Sequence, residues 1–148
     1  LIQRTSVYVV IEGEDGVLLV RDRTRTDEKW DLPGGGIDPG EELLDALRRE
    51  VQEETELDIT GEPQKICEFT EYFYDVDSQK GWESTRYFYK VTTDGTAQLN
   101  GNDDDVTRAR YFKEPYSSRE VVPVAREIIT MAKVRRSNIQ AISSQQTQ

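Results

Sequence analysis

The sequence predicts an α/β domain, and three observations carry this prediction. Two pairs of segments rich in β-branched and aromatic residues, each joined by a polar turn, have the pattern of antiparallel strands. Two further segments have apolar residues at helical spacing. The length of 148 residues suits one hydrophobic core. We therefore expect a single domain at residues 1–136, followed by a Ser- and Gln-rich polar tail at 137–148.

The first strand pair lies at the start of the chain. Residues 6–12 read SVYVVIE, and Asp15-Gly16 marks a turn before the apolar residues 17–20, which predicts a β-hairpin. Residues 21–29 contain four basic and three acidic side chains and no large apolar one. We expect this stretch to be a solvated loop that can reach over a ligand.

A glycine-rich segment, Pro33 to Gly36, precedes the first predicted helix. Asp38 can cap this helix, Pro39 suits its first turn, and Glu41 completes the spacing of a capping box. The apolar stripe of the helix consists of Leu43, Leu44, Leu47 and Val51. We expect this stripe to pack on the sheet, while the acidic residues of the helix lie largely off it.

The rest of the chain predicts a second strand pair, a short strand and a second helix. Residues 65–76 and 84–93 are rich in Phe, Tyr, Val and Thr, with a polar turn at 77–83 between them. Residues 109–112 can add a short strand. From Ser118 to about Arg136 apolar residues recur at helical spacing, which predicts a C-terminal helix.

Three acidic residues of the first helix, Glu50, Glu53 and Glu54, are candidate metal ligands. Residues three and four apart on a helix are neighbours, so we expect these carboxylates to converge on one patch. Clustered carboxylates repel one another unless a cation lies between them, and oxygen ligands suit Mg²⁺ or Mn²⁺. A solvated acidic helix without a function has the same composition, so only the spacing can separate the two interpretations.

The spacing resembles the signature of the Nudix hydrolases, G-x5-E-x7-R-E-U-x-E-E-x-G-U, in which U is an apolar residue. The residues that fall in register are Gly35, Glu41, Arg49, Glu50, Val51, Glu53, Glu54 and Leu57. The preceding residues 30–35, WDLPGG, also resemble the usual start of this box. One position departs from the pattern: Glu56 stands where the family has a glycine that ends the helix in a left-handed conformation.

The resemblance implies an α/β/α sandwich with a mixed β-sheet and a loop-helix-loop metal site. It implies that Glu50, Glu53 and Glu54 hold Mg²⁺ (or Mn²⁺) against a pyrophosphate group, and that Arg49 orients a carboxylate, either Glu41 or Glu50. The sequence contains no histidine, so the general base has to be a carboxylate.

Two carboxylates are candidates for the general base. The family takes this base either from the box or from an acidic residue in a later loop. Glu53 is the first choice from the box, and Asp105, in the acidic run at 103–105, is the alternative. A solvated turn would explain the same acidic run without any catalytic role.

Substrate contacts are expected from arginines, glycines and a tyrosine. The phosphates need cationic partners, for which Arg21, Arg23, Arg25 and Arg86 are candidates. Gly35 and Gly36 allow the backbone to approach the phosphates closely. In the family, a tyrosine sixteen to eighteen residues past the box is associated with dinucleoside polyphosphates, and Tyr74 lies at that distance from Leu57.

The function that follows from the resemblance is a Mg²⁺-dependent pyrophosphohydrolase. It would cleave a nucleoside diphosphate linked to another moiety, either a nucleoside triphosphate or a dinucleoside polyphosphate. The alternative is a catalytically silent Nudix-fold domain that binds nucleotides or regulates a partner.

Composition limits the partners and the location. A net charge of −10 argues against binding a nucleic-acid polymer, whose phosphates are held by Lys and Arg. No apolar run approaches the ~18 residues that a membrane span needs, and no secretory signal pattern opens the chain. We expect a soluble cytoplasmic protein with a small nucleotide substrate. Homodimerisation, which is common among Nudix hydrolases, is also expected.

Overall fold

The computed structural model describes the backbone of residues 1–146 and the side chains of residues 1–134. Its elements are the strands β1 (Ile2–Gly13), β2 (Gly16–Asp22) and β3 (Gly34–Gly36), the helix α1 (Leu43–Thr55), the strands β4 (Asp58–Asp75), β5 (Lys80–Asp94) and β6 (Val106–Phe112), and the helix α2 (Pro123–Gln146).

The strands of the described chain form one six-stranded mixed sheet. Its order is β4-β5-β1-β2-β6, and β3 pairs with β1 outside this path. β1 and β5 run parallel, with Val7 opposite Tyr87, while the other strand pairs are antiparallel. The parallel pair lies near the centre of the sheet and brings the start of the chain beside its second half.

Two hydrophobic clusters lie on opposite faces of the sheet, each beneath one helix. Alternation along β1 divides its apolar side chains, because successive residues of a strand point to opposite faces. Val10 belongs to the cluster that contains Ile128 and Ile129 of α2. Val9 belongs to the cluster that contains Leu47 and Val51 of α1. The predicted α/β/α sandwich with a mixed sheet is therefore confirmed.

Both predicted strand pairs are present, as β1–β2 and β4–β5, and their strands are longer than the sequence pattern indicated, although β1 and β2 pair only next to their turn. The boundaries of the helices differ more from the predicted ones than those of the strands do. The prediction that Asp38 caps α1 is wrong, since α1 begins at Leu43 with Glu42 as its N-cap. The backbone N–H of Asp38 does donate to Oε1 of Glu41 at 3.1 Å, so this contact of a capping box occurs in a turn before the helix.

The C-terminal helix also begins and ends later than predicted. α2 starts at Pro123 rather than Ser118, and proline suits this first position because its missing N–H has no helical acceptor to lose. The helix continues to Gln146, so most of the predicted polar tail is helical, while residues 147–148 lie outside the described residues. Within the described chain, neither helix has the combination of length and apolar character needed to cross a bilayer.

Candidate active site

The glycine segment of β3 lies against the acidic face of α1. The backbone N–H of Gly34 donates to Oε2 of Glu54 at 2.9 Å. A Cβ atom on Gly35 would lie 2.7 Å from Oε1 of Glu50. Any larger residue at position 35 would push the Glu50 carboxylate out of its place, so the structure favours glycine there because of this close approach.

Three carboxylates meet beside this segment: those of Glu50, Glu54 and Asp105. One oxygen atom from each lies within 4.8 Å of the others. Glu50 and Glu54 are only 6% and 3% exposed, and Asp105 is half-buried. Oε2 of Glu50 is buried and accepts no hydrogen bond from the residues that the structure describes. Oε1 of the same residue accepts from Nη1 of Arg49, so one of the two Glu50 oxygens has a partner among the described residues and the other has none.

Burial changes the ionisation of both glutamates in the cluster. It raises the pKa of Glu50 to about 7, although the nearby Arg49 guanidinium limits the rise. It raises the pKa of Glu54 to about 10, against the opposing effect of the hydrogen bond from Gly34. Both shifts arise because a carboxylate loses hydration when it is buried, and a cation between the carboxylates would reverse that balance.

Glu53 lies outside this cluster. Successive helical residues are about 100° apart around the axis, so Glu50 and Glu54 share a face that Glu53 does not fully share. Its side chain is 52% exposed, and Nη1 of Arg49 lies 3.3 Å from its Oε2. The sequence grouped three acids of one helix, whereas the structure brings two of them together with an acid from the loop before β6.

Arg49 connects the helix to the turn before it. Its Nε and Nη2 donate to Oε2 and Oε1 of Glu41 at 2.8 and 2.9 Å, which is a paired hydrogen bond. Its Nη1 donates to Oε1 of Glu50 at 3.1 Å, and its Nη2 also donates to the backbone oxygen of Gly36. The arginine holds the pKa of Glu41 at about 2. The structure thus places the paired hydrogen bond on Glu41 and a single one on Glu50.

A cavity of about 320 Å³ opens beside the three carboxylates. Four residues predicted as substrate contacts line it, namely Gly35, Gly36, Arg25 and Arg86. Arg4, Tyr8 and Asp31 also line it and were not predicted. Arg4 and Tyr8 reach the cavity because β1 pairs with β5 and β3, which the sequence pattern did not indicate. Asp31 was noted only as part of the segment that precedes the box.

Two other predicted contacts lie elsewhere. Nε of Arg23 donates to the backbone oxygen of Asp104 at 2.7 Å, so this side chain binds the loop before β6. Tyr74 is 62% exposed near the end of β4. Of the candidate cations in residues 21–25, it is therefore Arg25 whose side chain lines the cavity.

Comparison with known proteins places this arrangement in a family. The NUDIX domain family model matches residues 2–129. The chain belongs to the NUDIX domain family. Solved structures of this NUDIX fold include the NUDIX hydrolase from Nitrosomonas europaea, with a TM-score of 0.68, 22% identity and 89% of each chain covered. The MutT protein from Methanosarcina mazei Go1 gives a TM-score of 0.66 at 24% identity, with 93% of this chain and 96% of that chain covered.

Curated relatives of this NUDIX domain match over a shorter stretch. The nucleoside triphosphatase NudI of Escherichia fergusonii is 46% identical over 55 residues, which are 35% of this chain and 39% of the relative. That of Escherichia coli O1:K1 is 37% identical over 78 residues, which are 51% of this chain and 52% of the relative. The chain thus spans about half the length, or less, of these relatives.

The departure from the NUDIX box at Glu56 has a visible structural consequence. Glu56 follows the last residue of α1 with φ 61° and ψ 13°, the left-handed conformation that glycine adopts most easily. Its N–H still donates to the oxygen of Gln52 at 3.0 Å. The helix therefore ends in the conformation expected for the box glycine, with a non-glycine residue in it.

Proposed function

We propose that this NUDIX domain is a Mg²⁺-dependent hydrolase that cleaves a phosphoanhydride bond in a nucleoside diphosphate linked to another group. Nucleoside triphosphates are the substrate class that we favour. The single observation that carries the proposal is the unpartnered, buried Oε2 of Glu50, placed among three carboxylates beside a cavity with arginines. That combination suits a cation and a polyanion bound side by side.

The residues present fit a divalent cation. Glu50, Glu54 and Asp105 offer oxygen atoms alone, the ligands that Mg²⁺ and Mn²⁺ prefer, and two of these acids are buried. When bound, the cation supplies positive charge that polarises the phosphoanhydride and acidifies water. Arg49 donates to Oε1 of Glu50, and a bound cation would supply positive charge to the rest of the set.

The arginines of the cavity suit the phosphates of the substrate. Arg25 forms two hydrogen bonds with Asp27 through Nε and Nη2, while its Nη1 lies 3.8 Å from Asp31. Nη2 of Arg86 likewise lies 3.8 Å from Glu71. The two contacts at 3.8 Å exceed hydrogen-bonding distance, so these nitrogen atoms can turn to phosphate oxygens at little cost.

Glu53 remains our candidate for the general base. It lies one turn along the helix from Glu50, and its carboxylate is open to water. Arg49 lies between the two acids and bonds to both, so it can hold Glu53 near the site while Glu50 binds the cation. Asp105, the other candidate base, is assigned to the cation in this proposal.

Two observations favour nucleoside triphosphates over dinucleoside polyphosphates. The curated relatives carry the name nucleoside triphosphatase. Tyr74, which suggested dinucleoside polyphosphates, is exposed near the end of β4 and does not appear among the residues that line the cavity.

The test is a panel of nucleoside triphosphates and dinucleoside polyphosphates, with products separated by ion-exchange chromatography. We expect Mg²⁺ to support cleavage of at least one triphosphate to a monophosphate and pyrophosphate, and EDTA to stop it. Cleavage that continues undiminished in EDTA would refute the role of the cation. No hydrolysis of any nucleotide in the panel, with nucleotide binding retained, would favour the catalytically silent domain instead.

A homodimer is a second part of the proposal. β4 is an edge strand whose outer end exposes Tyr72, Phe73 and Tyr74, and edge strands readily pair with other chains. Light scattering on the purified protein tests the oligomeric state.

A cytoplasmic location also stays a prediction, which fluorescence microscopy of a tagged protein can check.

A further inference from the structure

Asn102 makes the contacts that hold Asp105 beside the two buried glutamates. Its Nδ2 donates to Oδ1 of Asp105 at 2.7 Å and to the backbone oxygen of Glu53 at 3.3 Å. Its Oδ1 accepts from the backbone N–H groups of Asp104 and Val106, both at 3.0 Å. One side chain thus connects the end of α1, the loop before β6 and the carboxylate of Asp105.

These four contacts use the full hydrogen-bonding capacity of the side chain. An asparagine amide offers two N–H donors and an oxygen with two lone pairs, and each has a partner here. Aspartate has the same shape and could keep the two contacts to backbone N–H groups. It could not donate to Asp105, so the contact to the Asp105 carboxylate requires the amide Nδ2.

Asp105 needs such a donor because its surroundings repel it. It follows Asp103 and Asp104 in the sequence, and its carboxylate faces those of Glu50 and Glu54. When all three groups are ionised, as cation binding requires, these like charges favour an Asp105 side chain turned away toward water. A short hydrogen bond from a neutral amide offsets part of that repulsion and fixes the direction of the carboxylate.

We infer that Asn102 is a positioning residue, whose amide directs the Asp105 carboxylate toward Glu50 and Glu54 and so completes a site for a divalent cation. The inference rests on the proposed function only in requiring a cation at these three carboxylates. It is independent of which nucleotide is hydrolysed. A purely structural role, in which Asn102 only holds the turn before Val106 against the end of α1, would require the two acceptor contacts and the contact to Glu53, but not the hydrogen bond to Asp105.

The test measures the Kd for Mn²⁺ by electron paramagnetic resonance in the wild-type protein, Asn102→Asp and Asn100→Asp. Asn100 is exposed in the same loop, so its variant is matched in residue type, substitution and added charge. Loss of a residue that orients a metal ligand typically weakens metal binding 10- to 100-fold, and we expect about 10-fold or more in Asn102→Asp. We expect a Kd within about twofold of wild type in Asn100→Asp.

The added negative charge of Asn102→Asp would by itself strengthen cation binding, so weaker binding opposes the trend that charge alone predicts. An unchanged or tighter Kd in Asn102→Asp overturns the inference. Thermal unfolding in EDTA checks that each variant is folded. Should Asn102→Asp fail to fold, Asn102→Ala replaces it with the same expected loss, and a wild-type Kd in that variant is equally contrary.

A double-mutant comparison shows whether Asn102 acts through Asp105. Asp105→Asn alone should weaken Mn²⁺ binding, and adding Asn102→Asp to it should produce no further loss. A further tenfold loss in the double variant overturns the inference. If Mn²⁺ binding follows these expectations while no nucleotide is hydrolysed, the inference stands and the proposed activity falls. If hydrolysis occurs but the wild-type protein binds no Mn²⁺, the inference falls and the activity stands without the cation.

Discussion

Burial divides the acidic residues of α1 into two chemical types. Glu50 and Glu54 are enclosed and have raised pKa values, whereas half of the Glu53 side chain is open to water. An enclosed carboxylate is costly unless it is protonated or paired with a cation, while an exposed one exchanges protons freely. We expect substitutions of the two types to have different effects.

Glu50→Gln should raise the melting temperature of the metal-free protein and remove most of the rise that Mg²⁺ produces. The neutral amide avoids the cost of burying a carboxylate, and it also takes a charged oxygen away from the cation. Differential scanning fluorimetry with EDTA and with Mg²⁺ measures both effects. An undiminished Mg²⁺ shift in this variant would show that Glu50 does not hold the cation.

Glu53→Gln should leave the fold intact and lower kcat by about 10²- to 10⁴-fold, the usual contribution of a general base. The side chain is exposed and lies outside the three-carboxylate cluster, so Mn²⁺ affinity should change less than in Glu50→Gln. Steady-state kinetics on the best triphosphate of the panel measures the effect. Turnover near the wild-type value would reject Glu53 as the base and return Asp105 to consideration.

At the scale of elements, α1 is the part of the fold that the sequence described best and also the part where it erred in detail. The apolar stripe follows from a local pattern and is present, and the helix ends in the left-handed conformation of the family's box although Glu56 replaces its glycine. The start at Leu43 differs: Glu41 lies in the turn before the helix, where its carboxylate accepts from the N–H of Asp38 and from Arg49 in the second helical turn. Local capping rules do not include such a contact.

Glu56→Gly should stabilise the protein by about 1 kcal/mol, because glycine adopts the left-handed conformation without steric strain. Glu56→Ala is the matched control: alanine suffers the same backbone strain, so it should give no gain. Urea denaturation in EDTA, with equal slopes for the three proteins, provides the comparison. A loss of stability in Glu56→Gly would mean that the glutamate side chain makes a contribution larger than the strain.

At the scale of the whole molecule, the stability of the metal-free protein should fall as pH rises from about 5 toward 9. The carboxyl groups of Glu50 and Glu54 have ordinary values of 4.5 when exposed and about 7 and about 10 when folded. Between those limits the folded state binds more protons than the unfolded state, so the free energy of unfolding decreases with rising pH. Melting temperatures in EDTA across this range measure the slope.

The same pH series of melting temperatures also tests whether Glu50 and Glu54 cause the fall. Glu54→Gln should flatten the fall with pH, since the residue with the higher pKa no longer titrates. Mg²⁺ should also flatten it, because the cation binds the ionised form that higher pH favours. A steeper fall in the presence of Mg²⁺ would contradict the placement of the cation at these acids.

How far the site could be predicted depended on the distance along the chain that each part spans. The box residues from Gly35 to Leu57 lie on β3, the turn that follows it and α1, which are neighbours along the chain, so their spacing alone indicated a site. Asp105 was recognised only as a second candidate, because its place beside Glu54 depends on β6 joining the sheet next to β2. Tyr8 was missed because it lies in an apolar strand pattern typical of core, and Arg4 because it precedes the segment that the pattern marked as a strand.

The position of the carboxylates also means that a bound cation would act as a reversible cross-link. It would tie the end of α1 to the loop before β6, and so close a loop that contains the whole long hairpin of β4 and β5. Closing a loop of that length restricts the unfolded chain strongly. The rate of proteolytic cleavage within this hairpin would therefore depend on whether the ion is bound. The hairpin itself contributes none of the three carboxylates; it only lies between them along the chain.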